Sequence, residues 1–393
     1  MKKILPVVCL CMSGATLAEP VDPVTEKHEL TAYQRYQRWL DNFLMELGAD
    51  GQFNPEKGID WSVMPGPFYT PEKKLGMGVS AVGLYKPDIN DAVSQPSSIT
   101  INGFGSINGA YGVSIHNANY LANDRYRLFL DAEMTDSPDV FHGIGVEAGK
   151  HNERVDYERR TYAASITGMV RVLPFTYLGM GLAFSHNEAL NPEQEQTDAP
   201  WIGEDIAKFP GTQRNVGAML SATYDSRDFA LNASKGRLIE LAYFNFNTAL
   251  GADSDFERVT LNYSDYHSMS VIPGVLAWQV RAESNFGDVR WDQMALLGGA
   301  DALRGYEQGQ YRDKNMLISQ VEYRQPLGGR HGMVYWFGAG TLAEEFDLLG
   351  EEDWLYSVGV GYRFEIKQRV NLRLDMGFGN DQSGFYFAIN EAF

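Results

Sequence analysis

The sequence predicts an all-β protein: a 16-stranded antiparallel transmembrane β-barrel with a short N-terminal amphipathic helix. Three observations predict it. From Leu75 onward, segments of about ten residues alternate an apolar, aromatic-rich face with a face of glycine, small and charged residues, the two-residue period of barrel strands. The composition favours strands and turns, with 21 Tyr, 21 Phe and 40 Gly in 393 residues and only 21% charged. No stretch reaches the roughly 18 consecutive apolar residues that a membrane helix requires. An exported chain of this kind is either a soluble secreted protein or a barrel.

The chain begins as an exported one. Lys2 and Lys3 precede the apolar run Ile4 to Leu17, and Thr16-Leu17-Ala18 supplies a small-residue cleavage site, so residues 1–18 read as a signal peptide. The only 2 cysteines, Cys9 and Cys11, fall inside it. The mature chain is therefore expected to carry no disulfide, thiol nucleophile or Cys-ligated metal. The net charge of -18 repels phosphate backbones, which argues against nucleic acid as a partner.

Residues 19–74 are expected to form a periplasmic helix and a tether. From Thr25 to Leu47, apolar side chains at Leu30, Tyr33, Tyr36, Leu40, Phe43, Leu44 and Leu47 follow three- and four-residue steps, and Gly48 supplies a stop. Arg35, Gln37, Arg38, Asp41 and Glu46 occupy the other face. Such a helix either packs against its own domain or serves as a plug or partner-docking element. Asn54 to Lys74, punctuated by Pro65, Pro67 and Pro71, reads as an extended tether.

Residues 75–393 are expected to form the barrel. The alternation places strands at 75–85, 97–107, 110–121, 125–135, 143–151, 158–173, 176–187, 214–226, 236–247, 256–269, 275–287, 314–326, 332–343, 354–366, 369–379 and 384–393. In Val370 to Phe378 every even position is apolar, while the odd ones carry Asn371, Arg373, Asp375 and Gly377. Gln320, Glu322 and Arg324 likewise share one face, opposite Ser319, Val321 and Tyr323. A soluble sandwich would bury one face in a dry core and turn its charges to water. Here both faces are populated in nearly every strand, as lipid outside and a wet lumen inside require. An even count returns both ends to the periplasmic side and sends the long connections outward. The last strand, with Phe385, Phe387, Ile389 and Phe393, has the aromatic pattern that outer-membrane barrels present to their assembly machinery.

One connection stands out. Gly298 to Gln310 is a glycine-rich loop with Leu303-Arg304-Gly305-Tyr306 at its tip, set after the eleventh strand. Gly305 permits a tight turn, Tyr306 brings a ring with a hydroxyl, and Arg304 carries a planar, always charged fork suited to two carboxylates. The alternation puts Glu322 and Asp375 on the lumenal face as partners, and a buried arginine needs them. With this loop in this place, the chain resembles the bacterial surface-antigen superfamily of outer-membrane barrels, the BamA/TamA-like group. The resemblance covers about Pro65 to Phe393. It implies that loop six folds back into the lumen and is latched there by Arg304, with Leu303, Gly305 and Tyr306 completing the motif. It also implies a role in inserting or translocating protein or lipid through a lateral seam. Two features depart from the family. Residues 19–74 are too few for a periplasmic POTRA repeat plus tether, and Gly338 stands where many relatives place an aspartate.

No catalytic pattern is legible. There is no G-x-S-x-G elbow and no H-E-x-x-H, and His116, His142, His151, His186, His267 and His331 are dispersed. The expectation is a non-enzymatic barrel without cofactor or metal. Its partners would be outer-membrane lipids, lipopolysaccharide and the barrel assembly machinery during biogenesis. The alternative is a plugged passive pore or a structural, homo-oligomeric barrel.

Overall fold

The computed structural model describes residues 35, 39, 42–150, 154–194 and 211–393. The expected signal peptide and most of the Thr25–Leu47 helix lie outside them. The chain divides into two units, 1–43 and 44–393. In the first, Arg35, Trp39, Asn42 and Phe43 are helical, and the Trp39 and Phe43 rings stack at 5.6 Å.

The second unit is a closed antiparallel barrel. Its strands are β1 (Ile59–Thr70), β2 (Lys74–Tyr85), β3 (Ser97–Ser106), β4 (Tyr111–Leu121), β5 (Tyr126–Phe141), β6 (Val155–Leu173), β7 (Thr176–Gln194), β8 (Gly211–Asp225), β9 (Gly236–Phe246), β10 (Phe256–Met269) and β11 (Gly274–Gly287). After a long connection follow β14 (Asn315–Gly328), β15 (His331–Ala343), β16 (Leu355–Lys367), β17 (Val370–Phe378) and β18 (Ser383–Ile389). Each strand pairs with its neighbour in sequence, and β18 closes on β1. The connection from β11 to β14 carries its own two-stranded sheet, β12 (Ala295–Leu297) with β13 (Tyr311–Asp313). No described helix is long and apolar enough to cross a membrane. The wall itself does so: Met180, Leu182, Leu220 and Leu241 project outward, exposed as a lipid-facing band requires.

The expected count of 16 holds, but two of the strands behind it change. The stretch read as a tether contains β1. Its outward positions are Trp61, Val63, Pro65, Pro67 and Tyr69, and its inward ones are Asp60, Ser62, Met64, Gly66, Phe68 and Thr70. The prolines concealed a regular strand. Conversely, 143–151 is not a strand: Val146–Lys150 is a short helix (α1), with Val146 buried against the connection that carries β12 and β13. The last strand ends at Ile389. At Asn390 the backbone turns through a positive φ of 75°, and the chain leaves the wall.

The two ends of the wall differ. Residues 44–58 enter at the near end, where helical residues up to Glu46 finish in a Schellman turn: Gly48 N–H donates to Met45 O and Ala49 N–H to Leu44 O. Val63 N–H then donates to Leu47 O, and Gly51 N–H to Ile366 O. Beside this junction the fully buried Lys367 ammonium donates to Asp50 (2.7 Å) and Asp60 (2.9 Å). The closure of the ring is uneven. All 12 residues of β1 are in register with β2, whereas β1 and β18 register only at Tyr69↔Phe385.

Candidate functional site

The connection between β11 and β14 is built so that its tip turns inward. Gly298 N–H donates to Ala302 O and Gly299 N–H to Tyr306 O, which folds the loop back on itself. Leu303 takes a positive φ of 71° and Gly305 one of 113°. A Cβ at Gly305 would lie 2.7 Å from backbone atoms of Phe378 and Gly379, so only glycine fits this approach. Apolar packing then holds the loop: Leu303, Tyr306 and Tyr311 are buried with Leu297, Ile318, Leu342 and Leu355. Gly338 makes room for it. A methyl there would stand 3.2 Å from Leu303 Cδ1, so the residue that departs from the family pattern is the one Leu303 leans on.

Arg304 is the centre of the arrangement and has no exposed surface. Its Nη1 donates to Asp375 Oδ2 at 2.5 Å, and its Nη2 donates to Glu322. Its guanidinium carbon lies 3.8 Å from the Trp336 ring centroid, a close cation–π stack. The backbone on either side is held as well: Ser357 Oγ donates to Arg304 O, Tyr386 Oη accepts from Gly305 N–H at 3.0 Å, and Tyr306 Oη donates to Tyr356 O at 2.9 Å. The tip thus touches β14 through β18 in turn.

The carboxylates are shared. Glu322 also accepts from Arg324 Nε at 3.0 Å, and Asp375 from Arg363 Nη1. Arg363 Nε and Asn371 Nδ2 both donate to Glu391, each at 2.7 Å. Arg373 Nη2 donates to Asp301 in the loop itself at 2.9 Å. Four arginines and four carboxylates therefore form one network, which is how so many buried charges become tolerable. Just past the tip, burial and the nearby Glu72 carboxylate push Glu307 up to about 7.

Leu303, Arg304, Gly305 and Tyr306 thus meet Glu322 and Asp375 within one cluster. Sequence reasoning missed Trp336, Asp301 and the role of Glu391. The signal for Glu391 was present, because it is the residue that breaks the alternation of the last strand, and its side chain turns in to Arg363. The terminal aromatic residues separate. Phe385 stays on the closing strand opposite Tyr69. The Phe387 ring lies across Gly66, where a Cβ would come within 2.1 Å of it. Ile389 is buried at the end of β18. Phe393 sits beside Tyr266 (6.3 Å between ring centroids), and its carbonyl accepts from Arg324 Nη2 at 2.7 Å. Among the described residues, no group of three or more His, Cys, Asp or Glu side chains is arranged to hold a metal ion.

A closed ring of sixteen antiparallel strands, apolar outside, polar inside and packed with one of its own connections, is an outer-membrane β-barrel. Residues 97–393 match the Omp85 superfamily domain, and the chain belongs to that superfamily. Among solved structures it is similar to BamA from Haemophilus ducreyi lacking POTRA domains 1-3. The TM-score is 0.52 and the identity 15%, over 84% of this chain and 70% of that one. It is also similar to CdiB from Acinetobacter baumannii (TM-score 0.53, 11% identity, 84% of this chain and 59% of that one). CdiB from Escherichia coli gives 0.51 and 10%, over 84% and 61%. The chain thus spans about three-fifths of each CdiB chain. Curated protein sequences give no match.

Proposed function

We propose that this barrel is a non-enzymatic device of the outer membrane that helps protein or lipid insert or cross through a seam between its first and last strands. The observation that carries the reading is the single registered pair Tyr69↔Phe385, where every other neighbouring pair in the ring is registered over seven or more residues. A ladder this short leaves little to break when the wall parts. Opening one seam requires the adjacent wall to stay rigid, and the Arg304 network supplies that rigidity by tying the loop to β14, β16 and β17. Arg304, held by Glu322 and Asp375, acts as the latch, with Leu303, Gly305 and Tyr306 shaping its seat. Residues 44–58 lie at the periplasmic mouth, and Phe385 with its aromatic neighbours marks the strand for the assembly machinery during biogenesis. Lipids and lipopolysaccharide of the outer membrane are the surroundings on which the seam acts.

The test is reconstitution of the whole chain into liposomes, timing both the folding of a client barrel and the movement of a fluorescent lipid between leaflets. The expected result is acceleration over a porin control, abolished when a Tyr69→Cys/Phe385→Cys pair is oxidised. No acceleration of either process overturns the reading.

A second reading, a plugged passive pore, is favoured by one feature: a lumenal cavity of about 470 Å³ lined by His116, Arg127, Asp131, Ser165, Asp225 and Arg227. Single-channel conductance that rises sharply on deleting residues 24–48, without any client or lipid effect, would favour it.

A further inference from the structure

The chemistry of the seam edge says what it can accept. In an antiparallel ladder, alternate residues direct their N–H and C=O groups to opposite neighbours. Val63 N–H goes to Leu47 O rather than to β2, and Tyr69 registers with Phe385, so the odd residues of β1 direct their backbones away from β2 toward β18. Two of them are Pro65 and Pro67. The register Tyr69↔Phe385 carried down the strands sets Pro67 opposite Phe387 and Pro65 opposite Ile389. A proline has no N–H to give, and within sheets it belongs at an edge for that reason. Apart from Tyr69 at the one registered pair, β1 therefore presents acceptors and no donors over the stretch where β18 runs alongside.

Two further features shape the gap. The Phe387 ring lies over Gly66, on the face shared by Met64 and Phe68, instead of standing outward. Below it, where β18 has ended, the edge of β1 is taken up by Leu47 and Gly48, which accept from Val63 N–H and Ser62 Oγ. What remains open is a short mid-wall slot rimmed on the outside by Val63, Tyr69, Met77, Val79, Met376 and Phe378, all exposed. Its walls are apolar, and below Tyr69 it offers no N–H to the carbonyls of an added strand, which a bilayer will not satisfy either.

We propose that Pro65 and Pro67 set the specificity of the seam: they prevent β1 from zipping to any strand, its own β18 or a client's, and leave a slot that a phospholipid acyl chain occupies. The proposal rests on the seam reading above and narrows it from protein or lipid to lipid.

The experiment uses the full chain in phosphatidylethanolamine–phosphatidylglycerol vesicles doped with a phospholipid carrying a photoreactive acyl chain, with labelled peptides mapped by mass spectrometry. A second arm adds a synthetic peptide copying Gly384 to Phe393 with a photoreactive phenylalanine analogue. Wild type is expected to concentrate acyl label on Pro65–Tyr69 and Phe385–Ile389 several-fold over β5 and β6, and to capture no peptide. Pro65→Val/Pro67→Val, checked for folding by its heat-modifiable gel band, is expected to lose the seam label and to capture the peptide. Acyl label spread evenly around the wild-type wall, or peptide captured equally by both chains, overturns the proposal. Because labelling reads the seam at rest, it stands apart from the transport assay. Failure of lipid movement with the label intact would overturn the opening of the seam and not its occupant. Should the variant not fold, the wild-type arms still decide.

Discussion

Arg304→Ala is the perturbation whose effect can be worked most closely. Removing one partner of a buried ion pair costs about 3–5 kcal/mol when the other charge is stranded. Here neither carboxylate is fully stranded, since Glu322 keeps Arg324 at 3.0 Å and Asp375 keeps Arg363. The loss therefore belongs at the lower end, about 3 kcal/mol, and includes the stack on Trp336, worth about 1 kcal/mol. The backbone bonds at Ser357, Tyr386 and Tyr356 survive, so the barrel still forms and the cost appears as local opening of the loop. At about 1.4 kcal/mol per factor of ten, hydrogen exchange across residues 299–308 should quicken on the order of 100-fold. Exchange in β5 and β6 should stay as in wild type. Arg304→Lys should fall between, because an ammonium is a point charge without the planar fork. Unchanged exchange at the tip would refute the reasoning, as would equal acceleration around the whole ring.

Three other outcomes follow from the same geometry. Gly305→Ala must relieve both a φ of 113° and a 2.7 Å approach to the Phe378–Gly379 backbone. It should lower the temperature at which the folded gel band is lost at least as far as Arg304→Ala does. Glu307 is raised from 4.5 to about 7 by burial and by Glu72, so the folded chain holds a proton that the unfolded chain releases. Its stabilisation is complete below 4.5 and is lost as pH rises through about 7. After correction for intrinsic rates, exchange in the loop should therefore be slower at acid than at alkaline pH, and Glu307→Gln should flatten the difference. Lys367→Met leaves Asp60, which is buried, with Lys57 as its one ammonium partner (3.2 Å) beside the Asn54 N–H (3.0 Å), and frees Asp50 from one of its two ammonium partners. Residues 44–51 should become several-fold more susceptible to limited proteolysis while the strands remain protected, a loss of about 2–3 kcal/mol at that junction.

The wall was legible because its rule is local. Alternation needs only neighbouring residues, and β10 was placed at its two ends by pattern alone. β1 was hidden because proline is read as a breaker, and that reading holds only where the missing N–H is wanted. Pro65 and Pro67 fall at positions that face away from β2, where the β1–β2 ladder does not call on an N–H. The stretch around Val146 misled in the opposite sense: Gly143-Ile144-Gly145-Val146 alternates like a strand, yet α1 forms there because Val146 packs beneath Tyr311. At the site, parity sufficed to put Glu322 and Asp375 on the inner face. It could not show that Arg324 and Arg363 would share them, that Trp336 would lie under the guanidinium, or that Glu391 would leave the strand. Those facts depend on which strands curve opposite one another, and a one-dimensional pattern does not encode that.

The sharing of Glu322 and Asp375 also has a bearing on the order in which the molecule comes together. Arg304 meets partners 18 and 71 residues away, whereas the ring closes between residues 69 and 385, 316 apart. Loop-closure entropy alone favours the nearer contacts by roughly 1–3 kcal/mol, and the nearer set brings many bonds against one registered pair. The wall from β14 to β18, with its loop already seated, is thus a nucleus that can stand before β1 arrives. On this reasoning closure of β1 on β18 is expected to come last, and a contact made last is one whose release would disturb least of what was built before it.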